Sequence, residues 1–146
     1  VSREDQEIRQ LLLELRALEG SGNILQSRLD ILNAAISEVT LAHATLEGIK
    51  TQPKGADILI PLGAGSFLRA SLSDVERVII GIGAGVAVEK TVDESIAELK
   101  NRLEDLEKAR VSIQQQLGGV LSALEEKRTK LSELVGKKGG GTVTVL

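Results

Sequence analysis

The sequence predicts an α+β fold, a long antiparallel two-helix coiled coil with two β-hairpins inserted between the helices. Three observations predict it. Apolar residues recur with heptad spacing over residues 5–50. They do so again over 91–135. Between them, a short apolar unit bearing glycines repeats at an offset of 20 residues.

The first helix takes its a positions from Ile8, Leu15, Gly22, Leu29, Ile36 and His43. Its d positions are Leu11, Leu18, Leu25, Leu32, Val39 and Leu46. The 3-4 spacing never skips, and ten of the twelve positions are apolar, which is the pattern of a coiled-coil seam. In the last helix, a falls on Ile96, Leu103, Arg110, Leu117, Leu124 and Leu131. There d falls on Val92, Leu99, Leu106, Ile113, Val120, Lys127 and Leu134. Thr91 supplies an N-cap hydroxyl with Glu94 three residues later, and Gly136 is the expected stop. Equal lengths predict that the helices pair with each other. A register that sets Leu46 against Ile96 and Ile8 against Leu134 also sets Glu19 against Arg128 and Glu47 against Lys100. Both flanking pairs are opposite in charge. It places Arg110 opposite Leu32 and Lys127 opposite Leu15, so these cations specify register while their stems lie along the seam. Gly20, Gly22, Gly118 and Gly119 fall at one height and predict a locally weak section.

Pro53 and Gly55 close the first helix. Ile60-Pro-Leu-Gly-Ala-Gly65 then aligns with Ile80-Gly-Ile-Gly-Ala-Gly85, and each copy runs on into a second short strand. A Gly-bearing turn between such runs is a hairpin signal, so 57–90 reads as two hairpins. Two-stranded hairpins are marginal on their own, and their apolar faces and edges need cover. Ile58, Ile60, Leu62, Phe67, Val78, Ile80, Ile82, Val86 and Val88 are therefore the expected subunit interface of an obligate oligomer.

Composition narrows the function. Cys is absent and there is one His, so neither a disulfide framework nor a multi-histidine metal site is expected. Phe67 is the sole aromatic residue, which excludes aromatic platforms for single-stranded nucleic acid and argues against an ordinary compact core. The net charge of −3, from 18 basic and 21 acidic residues, gives no phosphate-binding footprint. Val78–Val88 is apolar but too short and too rich in glycine to span a bilayer, and no signal-peptide pattern opens the chain. A cytoplasmic protein is expected. Gly81-Ile-Gly83-Ala-Gly85 lacks the third glycine of a dinucleotide fingerprint, which falls at Val86, and runs into a strand rather than a helix. His43 sits in the seam without a nucleophile at any suggestive spacing, so no enzyme is expected.

Helix, hairpin, hairpin and helix, with Pro61-Leu-Gly-Ala-Gly-Ser-Phe67 in the first hairpin and Gly83-Ala-Gly-Val-Ala-Val-Glu-Lys90 leading into the second helix, resembles the alpha-class subunit of prefoldin, most of all its archaeal form. The resemblance covers about residues 5–135. The beta class carries one hairpin, so the repeat decides the class. The resemblance implies a prefoldin-like domain over 1–136 and a hexamer of two alpha and four beta subunits. Its hairpins form an inter-subunit β-barrel platform. Its coiled-coil arms hold non-native proteins and pass them to a group II chaperonin, without nucleotide or cofactor. Segment 137–146 matches no family motif and is read as a flexible tail without a function.

The terminal end of the coiled coil is the expected client surface: Ile8, Leu11, Leu12 and Leu15 on one helix, Leu124, Leu131, Leu134 and Val135 on the other. Leu12 and Val135 lie beside the seam and widen its apolar surface. Two rival readings are a structural coiled-coil protein that forms a homo-oligomer or filament through its hairpins, and an adaptor for one native partner.

Overall fold

A computed structural model describes residues 2–137. The elements run α1 (Arg3–Lys50), β1 (Asp57–Gly63), β2 (Ser66–Ser71), β3 (Arg77–Gly83), β4 (Val86–Thr91) and α2 (Val92–Lys137). The first heptad segment is helical throughout and the second is helical from Val92, Thr91 being the last residue of β4. Ser2 caps α1, its Oγ accepting from Asp5 N–H at 3.2 Å, and Thr91 caps α2, its Oγ1 accepting from Glu94 N–H at 3.1 Å. α2 does not stop at Gly136. That residue does not take the left-handed backbone of a glycine cap, and the helix continues through Lys137. A glycine in a helix costs about 1 kcal/mol without forbidding the conformation. Lys137 thus belongs to α2, and the rest of the expected tail lies outside the described residues.

The chain divides into two compact units. The first takes α1 up to Asn33 and α2 from Lys108. Here Leu11, Leu15, Leu124 and Leu131 form a buried cluster, flanked by Ile8, Leu18, Val120, Leu134 and Val135. The pairing is antiparallel and in the expected register. A methyl group built at Gly22 would meet Val120 Cγ1 at 3.5 Å, and Arg128 Nη2 donates to Glu19 Oε1 at 3.3 Å. Lys127 behaves as its long stem allows, leaving the seam to donate to Glu14 Oε2 at 2.8 Å. That bond, with Gln10 adding a second, holds the Glu14 carboxyl below the usual glutamate range.

The four clustered glycines of this unit do not serve close helix approach. A methyl group at Gly20, Gly118 or Gly119 would meet nothing within 4 Å, and at Gly22 it would make ordinary contact. Their remaining effect is on backbone entropy, about 0.8–1.0 kcal/mol each relative to Ala. Replacing all four with Ala is expected to stabilise the chain by about 3–4 kcal/mol and slow amide exchange around 18–25 and 116–122. Unchanged exchange there contradicts a weak section.

The second unit holds residues 34–107. Its two sheets are separate antiparallel hairpins, β1 with β2 and β3 with β4. The repeat is structural to the level of single bonds. Leu72 N–H donates to Ala56 O at 2.9 Å and, twenty residues on, Val92 N–H donates to Glu76 O at 2.8 Å. Each turn is a two-residue loop with positive φ at both positions, Ala64-Gly65 and Ala84-Gly85, which is the backbone that matches strand twist. Asp74 joins the hairpins, its Oδ1 accepting from the N–H groups of Glu76 at 2.8 Å and Arg77 at 3.3 Å. Those bonds, led by Glu76, hold its carboxyl below the usual aspartate range, so its role is to shape the connection.

Of the two charge pairs used to guess the register, Glu19–Arg128 forms and Glu47–Lys100 does not. Glu47 instead lies 3.9 Å from His43 one turn back, and Lys50 Nζ sits 2.8 Å from Asp93 Oδ1. Such exposed flanking pairs contribute only about 0–1 kcal/mol each, too little to fix side-chain partners.

Candidate functional site

The hairpins are equivalent in sequence and unequal in environment. Along β3, Val78 and Ile80 share a face with their cross-strand partners Lys90 and Val88. Val78, Val88 and Lys90 are half-buried and Ile80 is 8% exposed. Lys90 Nζ donates to Glu98 Oε2 at 2.8 Å. Arg102 Nη2 donates to Glu98 Oε1 at 2.7 Å and to the Gly81 carbonyl at 2.7 Å. These three side chains tie both strands of the second hairpin to α2. The expectation that Ile80 is left uncovered by its own chain is therefore corrected, because this face of the hairpin is covered by its own chain.

In the first hairpin the matching face carries Ile58 and Ile60 with Ala70 and Leu68. Ile60 is 42% exposed, and Leu68 and Leu62 are exposed as well. Ala70 occupies the place that Lys90 holds in the repeat, so the ammonium that anchors the second hairpin has no counterpart. On the other face Phe67, paired with Pro61, is 58% exposed. Among the expected interface residues Ile58, Val78 and Val88 are half-buried, Ile60, Leu62, Phe67, Ile82 and Val86 exposed, and Ile80 buried. Ile79, absent from the expected set, is 79% exposed. Strand alternation signals it, since Ile79 points away from the face that Ile80 buries. An open apolar groove of about 630 Å³ runs beside β3, walled by Leu41 and Leu46 of α1, Ile79 and Ile80 of β3 and Leu99 of α2.

Sequence reasoning missed the Lys90–Glu98–Arg102 group. Only its Glu98–Arg102 pair, four residues apart on one helix, was open to a spacing argument. The Lys90 ammonium first, and then Arg102, hold the Glu98 carboxyl below the usual glutamate range. A carboxyl depressed in the fold stabilises it above the unfolded value and loses that contribution as pH falls through the folded one. Glu98→Gln is therefore expected to flatten the loss of melting temperature as pH falls through and below the ordinary glutamate range. An acid limb identical to that of the parent chain contradicts this role. Ser95, one turn into α2, is fully buried with its Oγ unpartnered among the described residues. An unpaired buried hydroxyl costs about 1–3 kcal/mol, so Ser95→Ala is expected to raise the melting temperature by a few degrees. A fall instead assigns the hydroxyl a bond.

At the other candidate surface the structure separates the eight expected client residues. Leu11, Leu15, Leu124 and Leu131 are buried against one another, with Leu15 at 0% exposure. Ile8, Leu134 and Val135 are half-buried and Leu12 is 36% exposed. The open apolar surface is thus the Leu12 flank, extended by Leu13, which is 57% exposed and was not among the expected residues. Among the described residues no cluster of potential metal ligands occurs and no helix is long and apolar enough to cross a membrane.

The model of the prefoldin subunit family matches residues 6–137. A prefoldin subunit alpha of Methanopyrus kandleri is 40% identical over 77% of this chain and 71% of its own length. One from Pyrococcus horikoshii is 34% identical over 87% and 84%. Among solved structures, a filamentous prefoldin from Methanocaldococcus jannaschii shares the fold at 20% identity with a TM-score of 0.65, covering 77% of this chain and 93% of that one. The prefoldin beta subunit from a Thermococcus strain shares it at 17% identity with a TM-score of 0.58, over 87% and 90%. The sequence match across the helices and both hairpins, together with the shared fold, shows that this chain belongs to the prefoldin family.

Proposed function

We propose that the chain is the alpha-class subunit of a cytoplasmic prefoldin hexamer, two alpha with four beta. It works there as a holdase without ATP or enzymatic activity. The observation that carries this reading is the repeated hairpin whose first copy leaves Ile60 exposed, together with Leu62 and Phe67, while its twin buries Ile80 and is tied to α2. Partner hairpins supply the missing cover and close the β-barrel platform across subunits. The helix ends then hold non-native proteins for delivery to a group II chaperonin. One covered leucine contributes only about 1.5–3 kcal/mol before ordering costs, so single arms bind weakly and several arms on one platform give avidity. Mixing the chain with a beta-class prefoldin subunit and weighing the product by native mass spectrometry tests the assembly. A two-to-four species is expected. The filamentous neighbour favours one alternative, self-association into a fibre through the hairpins. Fibres formed by this chain alone, with no uptake of the beta-class subunit, establish that alternative instead.

A further inference from the structure

α1 carries a second heptad stripe, on the side turned away from its seam with α2. In the first unit it runs Leu13, Ala17, Gly20, Ile24, Ser27 and Ile31, with the same alternation of threes and fours as the seam. All six are exposed, Leu13 and Ile24 at 57% and Ile31 at 69%. No stripe position is charged over these 19 residues, about 28 Å of helix at about 1.5 Å per residue. The equivalent side of α2 in this unit is unlike it. From Lys108 through Gln115, Ser122 and Glu126 to Glu133, no apolar side chain stands at those positions. α2 thus presents an ordinary solvated face, and α1 departs from it. Aliphatic side chains at this spacing fit the ridges of another helix, and nothing in the described chain covers them.

We propose that this stripe is a coiled-coil interface with the same stripe of a second copy of the chain, running antiparallel. One antiparallel register sets all six positions against one another. It puts Leu13 against Ile31, Ala17 against Ser27 and Gly20 against Ile24, each twice by two-fold symmetry. Ile24 there enters space that Gly20 leaves open, since a methyl group at Gly20 meets nothing within 4 Å in its own chain. A shift of one heptad sets Ile31 against Gln6 in one direction and Leu13 against Glu38 in the other. The favoured register is also complementary in charge. Arg16 and Asp30 lie along one edge of the stripe, and Arg16 of each copy comes to Asp30 of the other. Both residues are exposed. Gln26 donates to Asp30 Oδ1 at 3.0 Å, and Oδ2 remains for a guanidinium. Three large side chains per copy make this contact weak and reversible, and it uses none of the hairpin residues.

The chain has no cysteine, so single introduced ones report contact without background. Asn23 lies midway along the edge that carries Arg16 and Asp30, and the register brings it to Asn23 of the second copy. In the full chain, Asn23→Cys is expected to cross-link to itself through a short bismaleimide at least fivefold faster than Ser122→Cys, on the polar outer side of α2. It should also outpace Ile24→Cys, which meets its own copy directly only in a parallel pair. Arg16→Asp sets like charges together and is expected to slow the Asn23→Cys reaction at least threefold. Adding Asp30→Arg to that chain reverses the pair and is expected to restore the rate. Equal rates at positions 23 and 122, a faster reaction at 24, or a charge reversal that restores nothing overturns the proposal. An Asn23→Cys chain that cross-links to an added cysteine-bearing unfolded protein, and not to a second copy, also overturns it and assigns the stripe to a client helix.

Discussion

Ile60→Lys is expected to remove the chain from the complex while leaving its helices and melting temperature nearly unchanged, and Ile80→Lys to do the reverse. The two residues are equivalent by the repeat, and their burial differs, 42% against 8% exposed. A lysine at position 60 meets water in the free chain and has to be desolvated only when a partner hairpin docks, where an unpaired buried charge is not tolerated. A lysine at position 80 meets the packed side of the second hairpin before any partner arrives. It falls among the core insertions that cost about 3 kcal/mol or more. Size-exclusion chromatography with a beta-class subunit reads the first effect and circular dichroism melting of the chain alone reads the second. An Ile60→Lys chain that still elutes in the full complex contradicts assembly through the first hairpin.

The second large effect concerns the terminal helix ends. Removing residues 1–15 and 124–146 together takes the Leu11, Leu15, Leu124 and Leu131 cluster with both flanks. The cut takes Arg128 and leaves its partner Glu19, an exposed flanking pair of the kind that contributes only about 0–1 kcal/mol. Nothing in the hairpins or in the Lys90–Glu98–Arg102 anchor is touched, so the hexamer should persist. Protection of unfolded proteins should fall at least tenfold at equal complex concentration. Undiminished protection moves the client surface elsewhere on the molecule. A milder version, Leu15→Ala, removes a fully buried side chain and is of the class that costs about 2–5 kcal/mol, so it should fray this end without deleting it.

The helices and hairpins were legible because periodicity is a property of sequence alone. Six unbroken heptads before residue 50, and a Gly-Ala-Gly turn repeated twenty residues apart, each admit one local structure. Register was legible too, down to Gly22 against Val120. The asymmetry of the hairpins was not. Ile60 and Ile80 look alike in sequence, and what separates them is Lys90 in place of Ala70 together with two α2 side chains, Glu98 and Arg102, that arrive from another element. The client residues failed to divide in the same way. The heptad pattern sets Leu11 in the seam and Leu12 beside it, yet reading all eight as client residues treats the seam as open. Which one is buried depends on the seam being closed, and closure leaves Leu12 and Leu13 as the accessible ones.

The central claim is that this chain helps hold non-native proteins, and the most direct test of it is turbidity. The chain assembled with a beta-class subunit should be added, without nucleotide, to several unrelated proteins diluted from denaturant. The account predicts suppressed aggregation of every one, no weaker than in a parallel assay with ATP and lost on truncation of the helix ends. Protection of a single protein only, or none without ATP, contradicts it.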